Sequence, residues 1–259
     1  LTMIKEIIEK DLITFEYPPD GGKISIIDPY DGCTIKCPYC FQMTDSNWNK
    51  DIIVKLNMPE LIKNNLNNWN RKETIYMGSR CDPYHEIERK YELTRNCLIE
   101  LNKLNIPIMI TTKADYGIIL RDMDIIKNYS SNITILLGLS NLTQILNTNK
   151  NEVIENINLA NYLCNQKIKV WTFITPVLPG ITDVDEIIDN LNNTIPVFLD
   201  KLRIQKDSVQ MRKMLSFIQA NYPKLYGEYE NLINNDTNKY IDELRDKYKD
   251  NTRIKFVFD

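Results

Sequence analysis

Three cysteines near the start of the chain, Cys33, Cys37 and Cys40, have the spacing C-x3-C-x2-C. Thiolates at this spacing can bind three irons of a 4Fe-4S cube and leave the fourth iron open. An open iron suits a cluster that binds a small molecule, whereas an electron-carrier cluster fills all four positions with cysteines. The motif therefore predicts an iron–sulfur cluster with one free coordination position.

Two other interpretations of these cysteines stay open. A structural zinc site needs four ligands in a tetrahedron, but His85, the single histidine, and the remaining cysteines have no zinc-like spacing. The three thiols could also be buried without any ligand. A disulfide framework is not expected, because closely spaced cysteines in a cytosolic chain of this size indicate metal binding or catalysis.

The elements that must position the motif are short apolar runs separated by helical patterns. Their cores are nearly continuous in apolar residues, which is typical of strands covered on both faces of a parallel sheet. The six predicted strands are Lys23–Asp28, Glu73–Gly78, Pro107–Lys113, Ile133–Ser140, Lys169–Pro176 and Asp200–Gln205. A charged and mostly helical segment, Asp207–Tyr248, then leads to a final strand, Ile254–Phe258.

This alternation of strand and helix predicts an α/β fold, a partial (β/α)6 TIM-type barrel with a C-terminal helical extension and a final strand. No break in composition divides the chain, so we expect one domain over residues 1–259, with a core at about 23–205 and an extension at about 206–259. An open doubly wound sheet is the alternative, but no glycine-rich dinucleotide turn follows the first strand. Barrel chemistry takes place at the C-terminal strand ends, where the cysteines lie.

The charge balance restricts the class of partner. The 259 residues contain 32 Lys and Arg against 35 Asp and Glu, a formal net charge of -3. Nucleic-acid binding relies on clustered basic residues, so a nucleic-acid partner is not expected. No apolar run reaches the roughly 18 residues of a membrane span, and no secretion signal is recognisable. These features predict a cytoplasmic protein with no membrane partner.

The cysteine motif, with the aromatic Tyr39 directly before the third cysteine, resembles that of the radical S-adenosylmethionine (SAM) superfamily. The resemblance implies two cofactors, a 4Fe-4S cluster and SAM, with SAM chelating the open iron through its amino and carboxylate groups. It further implies that one electron from the reduced cluster splits SAM into methionine and a 5′-deoxyadenosyl radical. That radical would then abstract hydrogen from a substrate, while the protein orients and shields the cofactors.

Three further patches resemble the spore photoproduct lyase-like branch of this superfamily. They are Met77–Tyr84 followed by Glu88 and Leu93–Arg95, Ile110–Lys113 followed by Leu120–Asp122, and Pro176–Asp183. The resemblance implies contacts to SAM from Gly78 and Ser79 for the methionine amino group, Lys113 and Ser140 for the carboxylate and ribose, and Tyr39, Val177 and Leu178 for the adenine. The alternatives are a surface lysine at a helix cap, a serine in a turn, and a tyrosine that only packs on the cluster loop.

Cys81 follows the second predicted barrel strand, near the place where spore photoproduct lyases carry a cysteine that donates hydrogen to the product radical. The resemblance implies this catalytic role for Cys81. Its thiol could equally be inert. Cys97 and Cys164 lie on apolar helix faces and are expected in the core, where free cysteines usually occur.

A polar cluster follows the same strand and is expected to face the substrate. Its members are Asp82, Tyr84, His85, Glu86 and Glu88. A carboxylate here could hold the amidine edge of a purine-like base through two parallel hydrogen bonds. These residues could instead cap the helix that follows.

The chain is short and acidic, which favours a small-molecule substrate over duplex DNA within this branch. General likeness suggests the queuine lyase subgroup, which cleaves the C–N bond of queuine to release 7-aminomethyl-7-deazaguanine in queuosine precursor salvage. The alternatives are a peptide-modifying or DNA-lesion lyase and a non-enzymatic iron–sulfur scaffold or sensor. Radical chemistry would also require an electron donor such as flavodoxin or ferredoxin.

Overall fold

The computed structural model describes residues 3–17, 22–44, 50–113, 116–129, 132–139, 152–236 and 239–257. Its strands are β1 Met3–Ile7, β2 Thr14–Glu16, β3 Ile24–Ile26, β4 Tyr30–Asp31, β5 Asp51–Lys55, β6 Ile75–Met77, β7 Ile108–Thr112, β8 Ile133–Gly138, β9 Lys169–Ile174, β10 Val197–Leu199 and β11 Ile254–Phe256. Its helices are α1 Met58–Asn65, α2 Glu88–Tyr91, α3 Leu93–Lys103, α4 Tyr116–Arg121, α5 Met123–Asn128, α6 Glu152–Asn165, α7 Val184–Asn190, α8 Val209–Asn221, α9 Tyr226–Asn235 and α10 Lys239–Tyr248. Short 3-10 turns occupy Phe41–Thr44 and Pro223–Leu225.

The main sheet has eight strands in the order β11-β10-β9-β8-β7-β6-β3-β2. Across this order, the neighbouring strands between β11 and β3 are parallel. The edge strand β2 runs antiparallel to β3. Among the described strands the two ends of this sheet do not pair with each other, so the barrel is open. This confirms the predicted α/β partial barrel.

The helices cover the sheet because its strands are apolar on both faces. Every residue of β8 is buried, as the nearly continuous apolar pattern predicts. The main core fills the space between the sheet and α1, α3, α5 and α6. A second core gathers Leu178, Leu202, Met214, Ile218 and Tyr229 beneath the C-terminal helices α8 and α9.

The sixth predicted strand is wrong in position, because the strand that completes the sheet is Val197–Leu199 rather than Asp200–Gln205. The three apolar residues of β10 pair with β9 and β11. In the following segment, Asp200 receives two hydrogen bonds from Arg203, at 2.9 and 2.8 Å. Leu202 packs into the second core instead of a sheet.

A small second sheet, with strands before and after the barrel strand β3 in the chain, was not predicted. Its strand order is β1-β5-β4, with β1 parallel and β4 antiparallel to β5. Most of β1 is exposed, so it carries no alternation between a buried and an open face that a sequence pattern could reveal. This sheet holds β4, the strand directly before the cysteine motif.

Within the described ranges, none of the helices combines the length and the apolar composition of a membrane span.

Two buried aspartates join the C-terminal ends of neighbouring barrel strands. Asp28, after β3, accepts hydrogen bonds from the backbone N–H groups of Gly78 at 2.6 Å and Arg80 at 2.8 Å. Asp82, after β6, accepts hydrogen bonds from the Lys113 N–H at 2.6 Å and the Thr112 hydroxyl at 2.7 Å. The two carboxyl groups thus fix β3 to β6 and β6 to β7 at the edge where the cysteines lie.

Gly78 permits the close approach of β6 to β7. Its φ is +97°, and a Cβ there would lie 2.0 Å from the Thr111 carbonyl oxygen. An L-residue with a side chain would meet both backbone strain and a clash with an atom that cannot move aside. This position therefore requires glycine.

We expect Gly78→Ala to lower the free energy of unfolding by about 3 kcal/mol or more, since strain at a left-handed backbone adds to a steric clash. Chemical denaturation of the cluster-free protein measures this change. The matched control is Gly227→Ala in α9, where an added Cβ has no neighbour within 4 Å. That control should be neutral or stabilising by up to about 1 kcal/mol, as alanine favours a helix. Equal stability of the two variants would contradict the assigned constraint.

Candidate cofactor and active site

The three motif cysteines lie in one loop between β4 and the Phe41–Thr44 turn. Backbone hydrogen bonds from Cys40 N to Cys37 O, at 3.1 Å, and from Met43 N to Cys40 O, at 3.0 Å, fold its second half into tight turns. Lys36 adopts a φ of 53°, which reverses the chain between the first two cysteines. None of the three cysteines forms a disulfide, and all three are half-buried.

The start of this loop is fixed by charged partners. The Lys55 ammonium, on β5, lies 3.1 Å from an Asp31 carboxylate oxygen. The Tyr30 hydroxyl donates a hydrogen bond to the buried Glu88 carboxylate. The loop thus follows a strand, β4, in which the side chains of Tyr30 and Asp31 are each fixed by a charged partner.

The three sulfurs lie close enough to interact electrostatically. Burial raises the pKa of Cys40 to about 11, and repulsion from the Cys37 and Cys33 thiolates adds to this effect. Among the described residues, no three His, Cys, Asp or Glu side chains converge on a single metal ion. Thiolates that bind three different irons of a cube stand farther apart than the ligands of one ion. A donor set of three motif thiolates, none of them in a disulfide, fits a 4Fe-4S cluster with one open iron.

Lys113 reaches this loop from the end of β7. Its ammonium group donates a hydrogen bond to the Tyr39 hydroxyl and lies 4.4 Å from the centroid of the Tyr39 ring. The backbone N–H of Lys113 is held by Asp82, and its carbonyl accepts a hydrogen bond from the Asn156 amide at 3.3 Å. Lys113 is therefore placed beside the cysteines, and not on the surface as a helix-cap residue would be.

Gly138, at the end of β8, gives the Lys113 side chain its path. A Cβ on Gly138 would lie 2.7 Å from Lys113 Cγ and 3.2 Å from its Cε. The lysine stem crosses the bare backbone at this point. Sequence reasoning did not single out Gly138, because the contact joins residues 25 positions apart that only the strand register brings together.

Ser79 lies beside an acidic residue that sequence reasoning also missed. Its hydroxyl donates a hydrogen bond to the Glu16 carboxylate on the edge strand β2. Together with Gly78, this places a hydroxyl and a carboxylate next to the strand end that was predicted to meet the SAM amino group. A carboxylate is a suitable partner for an ammonium group.

Cys81 lies directly against the cysteine loop. Its buried thiol donates a hydrogen bond to the Gly32 carbonyl at 2.8 Å and lies 3.9 Å from His85 Nε2. Burial raises its pKa, and the hydrogen bond with the Cys33 sulfur raises it further. Cys97, in contrast, is fully buried in the main core.

The predicted substrate residues do not form one group. His85 is buried against the Tyr30 ring, with ring centroids 4.7 Å apart, and burial lowers its pKa to about 4. Its imidazole is therefore neutral at physiological pH. Glu86 is exposed. Asp82 is the buried carboxylate that joins the ends of β6 and β7.

Glu88 serves as a helix cap. Its fully buried carboxylate accepts hydrogen bonds from the Thr94 N–H at 2.9 Å and the Arg95 N–H at 3.2 Å, in the first turn of α3. Arg121 donates a further hydrogen bond at 2.7 Å. Tyr84 is buried near the same charges, where burial and the Asp122 carboxylate raise the pKa of its hydroxyl. The geometry thus favours the capping alternative over a substrate contact for Glu88, whereas Tyr84 is fully buried in the main core.

Two of the remaining predicted SAM contacts, Leu178 and Val177, have backbone N–H groups that are already hydrogen-bonded within the protein. The Leu178 N–H donates to the Thr182 hydroxyl at 3.0 Å, and its carbonyl accepts from Ile181 and Thr182 N–H groups. The Val177 N–H donates to the Asp200 carbonyl at 2.8 Å. These amides are committed within the protein, so they do not favour an adenine contact through N–H. Ser140 lies outside the described residues.

The chain is similar to known proteins in sequence and in fold. The profile of the radical SAM superfamily matches residues 27–191. An uncharacterised protein of Methanocaldococcus jannaschii is 32% identical over 234 residues, which cover 86% of this chain and 85% of that protein. An uncharacterised protein of Mycobacterium tuberculosis is 25% identical over 182 residues, or 64% of this chain and 53% of its own length.

Similar solved structures include a variant of spore photoproduct lyase, with a TM-score of 0.63, 14% identity, and coverage of 85% of this chain and 66% of that chain. Streptococcus suis SuiB bound to SAM has a TM-score of 0.53, with 19% identity and coverage of 91% and 51%. The chain thus spans just under two thirds of the lyase and about half of SuiB. At these identities the likeness shows the fold. The superfamily uses a 4Fe-4S cluster and SAM, and this chain, with its matching profile and its relative of 32% identity, belongs to the radical SAM superfamily.

Proposed function

We propose that Cys33, Cys37 and Cys40 hold the 4Fe-4S cluster of a radical SAM lyase that acts on a small, nucleobase-type substrate. When bound, the cluster and SAM supply a 5′-deoxyadenosyl radical that abstracts hydrogen from the substrate. The half-buried cysteine loop would hold the cluster at the barrel edge. The observation that carries the proposal is the placement of three cysteines, none of them in a disulfide, in one loop that Lys113 reaches through Tyr39.

Lys113 is suited to binding the carboxylate of SAM. Its ammonium lies among the cysteine sulfurs and the Tyr39 ring, where a carboxylate would form a charge-assisted hydrogen bond. The Ser79 hydroxyl and the Glu16 carboxylate would receive the amino group at the neighbouring strand end. Tyr39 would then serve as a wall of the SAM site, and Ser140 is a further proposed contact.

Cys81 is suited to returning a hydrogen atom to the product radical. Its thiol is buried and hydrogen-bonded beside Cys33, so it lies close to the proposed source of the radical. After fragmentation of the substrate radical, the S–H hydrogen would pass to the product carbon and leave a thiyl radical on Cys81. An electron from a reductant of the flavodoxin or ferredoxin type would convert the thiyl radical to a thiolate, and a proton from solvent would restore the thiol.

The proposed substrate is queuine, whose C–N bond would be cleaved to release 7-aminomethyl-7-deazaguanine. Support comes from the net charge of -3, which disfavours a duplex-DNA substrate. In the described cluster after β6, Glu86 is exposed and carries the carboxylate suited to the amidine edge of such a base. His85, neutral and buried, would form part of the wall behind it.

Loss of one cluster ligand should abolish iron loading. We expect Cys37→Ala, reconstituted anaerobically with iron and sulfide, to lose most of its iron and its visible absorption, because two thiolates do not anchor the cube. Iron and sulfide analysis measures the result. Cys97→Ala, which removes a core cysteine, should keep the wild-type iron content. A fully loaded Cys37→Ala protein would contradict the assignment of the ligands.

Incubation of the reduced, reconstituted protein with SAM and queuine should yield 5′-deoxyadenosine and 7-aminomethyl-7-deazaguanine. Mass spectrometry detects both products, and the Cys37→Ala protein provides the blank. If 5′-deoxyadenosine stays at background with a full cluster and all candidate substrates, the protein is an iron–sulfur scaffold or sensor. If queuine is unchanged while a peptide or a DNA lesion drives turnover, the queuine assignment is wrong and the radical chemistry stands.

Cys81→Ala should keep SAM cleavage but divert the product radical. We expect a several-fold larger share of abortive products, because the nearest hydrogen donor is missing. Chromatography of the product mixture, normalised to 5′-deoxyadenosine, measures this share. Cys97→Ala is the control for loss of a buried thiol, and an unchanged product distribution in Cys81→Ala would exclude the donor role.

A further inference from the structure

A buried glutamine joins the C-terminal helices to the cysteine loop. Gln210 lies in the first turn of α8 and is 2% exposed. Its side-chain amide donates hydrogen bonds to the Tyr39 carbonyl at 2.7 Å and the Arg203 carbonyl at 3.1 Å. Its oxygen accepts a hydrogen bond from the Gln205 N–H at 3.2 Å. Both amide hydrogens are therefore used, which is the condition for burying such a group at low cost.

Ser208 fixes the helix that carries this glutamine. Its hydroxyl caps α8 by accepting a hydrogen bond from Met211 N at 3.0 Å. A second bond, from the same hydroxyl to the Gln205 carbonyl, folds the preceding segment back at 2.5 Å. The capped helix thus sets the backbone position of Gln210, and the cysteine loop is not needed to fix it.

Tyr39 is the residue on which this contact acts. It lies between Cys37 and Cys40 and is held at three points: the carbonyl by Gln210, the hydroxyl by Lys113, and the ring by the second core. The turn from Cys37 to Cys40 closes around Tyr39 through the Cys40 N–H. Any shift of the Tyr39 carbonyl therefore moves the peptide that leads to the third cysteine.

We propose that Gln210 is a positioning residue for the cluster, through which α8 holds the Cys37–Cys40 turn in the conformation that binds iron. The inference rests on the proposed function, since it takes Cys33, Cys37 and Cys40 as the cluster ligands. Without the Gln210 amide, the Tyr39 carbonyl loses its buried donor and the turn opens toward solvent. The third thiolate then leaves its iron more readily, while the remainder of the fold is unchanged.

Gln210→Met tests this role, because methionine has nearly the same shape but no hydrogen-bond donor. We expect the reconstituted variant to lose iron to a chelator about tenfold faster than the wild type, the effect of one buried hydrogen bond. We also expect an altered electron paramagnetic resonance signal of the reduced cluster. The control is Gln219→Met, an exposed position on the same helix, which should match the wild type in both measurements.

Gln210→Glu provides a second variant of the same size, with a carboxylate that turns toward two carbonyl oxygens and donates to neither. It should lose iron at least as fast as Gln210→Met. Thermal unfolding of the cluster-free proteins separates a structural role: a lower melting temperature with a wild-type resonance signal and iron-loss rate would overturn the proposal. If the wild type itself takes up no cluster, the ligand assignment fails first. If it does, and both variants retain iron like the wild type, only the role of Gln210 is refuted.

Discussion

The burial of two carboxyl groups, Asp28 and Asp82, is the constraint on which the site depends. Removal from water raises the pKa of Asp28 to about 7, and the hydrogen bonds from Gly78 and Arg80 N–H groups oppose that rise. Each aspartate obtains its donors from the strand end next to its own. Separation of these ends would leave a polar group buried without partners, at a cost that proteins rarely tolerate. The edge of the sheet therefore stays together as one rigid frame.

The frame sets the position of Lys113, and Lys113 in turn reaches the cysteine loop. Asp82 holds the backbone of this lysine, Gly138 leaves room for its stem, and Tyr39 receives its ammonium group. The positive charge of Lys113 lowers the pKa of the Cys37 thiol and so favours its thiolate form, against the effect of burial. Three strands and one loop thus contribute to a single electrostatic arrangement, although each contributes only one residue.

The cysteine loop and the parallel strands were predictable because their signals are local. The spacing of Cys33, Cys37 and Cys40 is contained in eight consecutive residues. Strands β6 to β9 are short apolar runs, a pattern that directly indicates buried strands. The strand at Asp200–Gln205 was mispredicted, since the apolar residues of that segment serve the second core. Glu88 was predicted to face the substrate, because folding alone brings its hydrogen-bond partners, Thr94, Arg95 and Arg121, next to it. Glu16, Gly138 and Gln210 carry no local signal at all, since each acts on a residue that is distant in the chain.

The contact between Gln210 and Tyr39 spans 171 residues, and this separation has a consequence for biosynthesis. A ribosome completes the cysteine motif long before it reaches α8, so the nascent chain carries all three thiols without the amide that fixes their turn. Domains fold as units during synthesis, and long-range contacts form last. The turn between Cys37 and Cys40 therefore reaches its final shape only after α8 has emerged from the ribosome. Iron and sulfide delivered before that point would meet three thiols whose relative positions are not yet fixed.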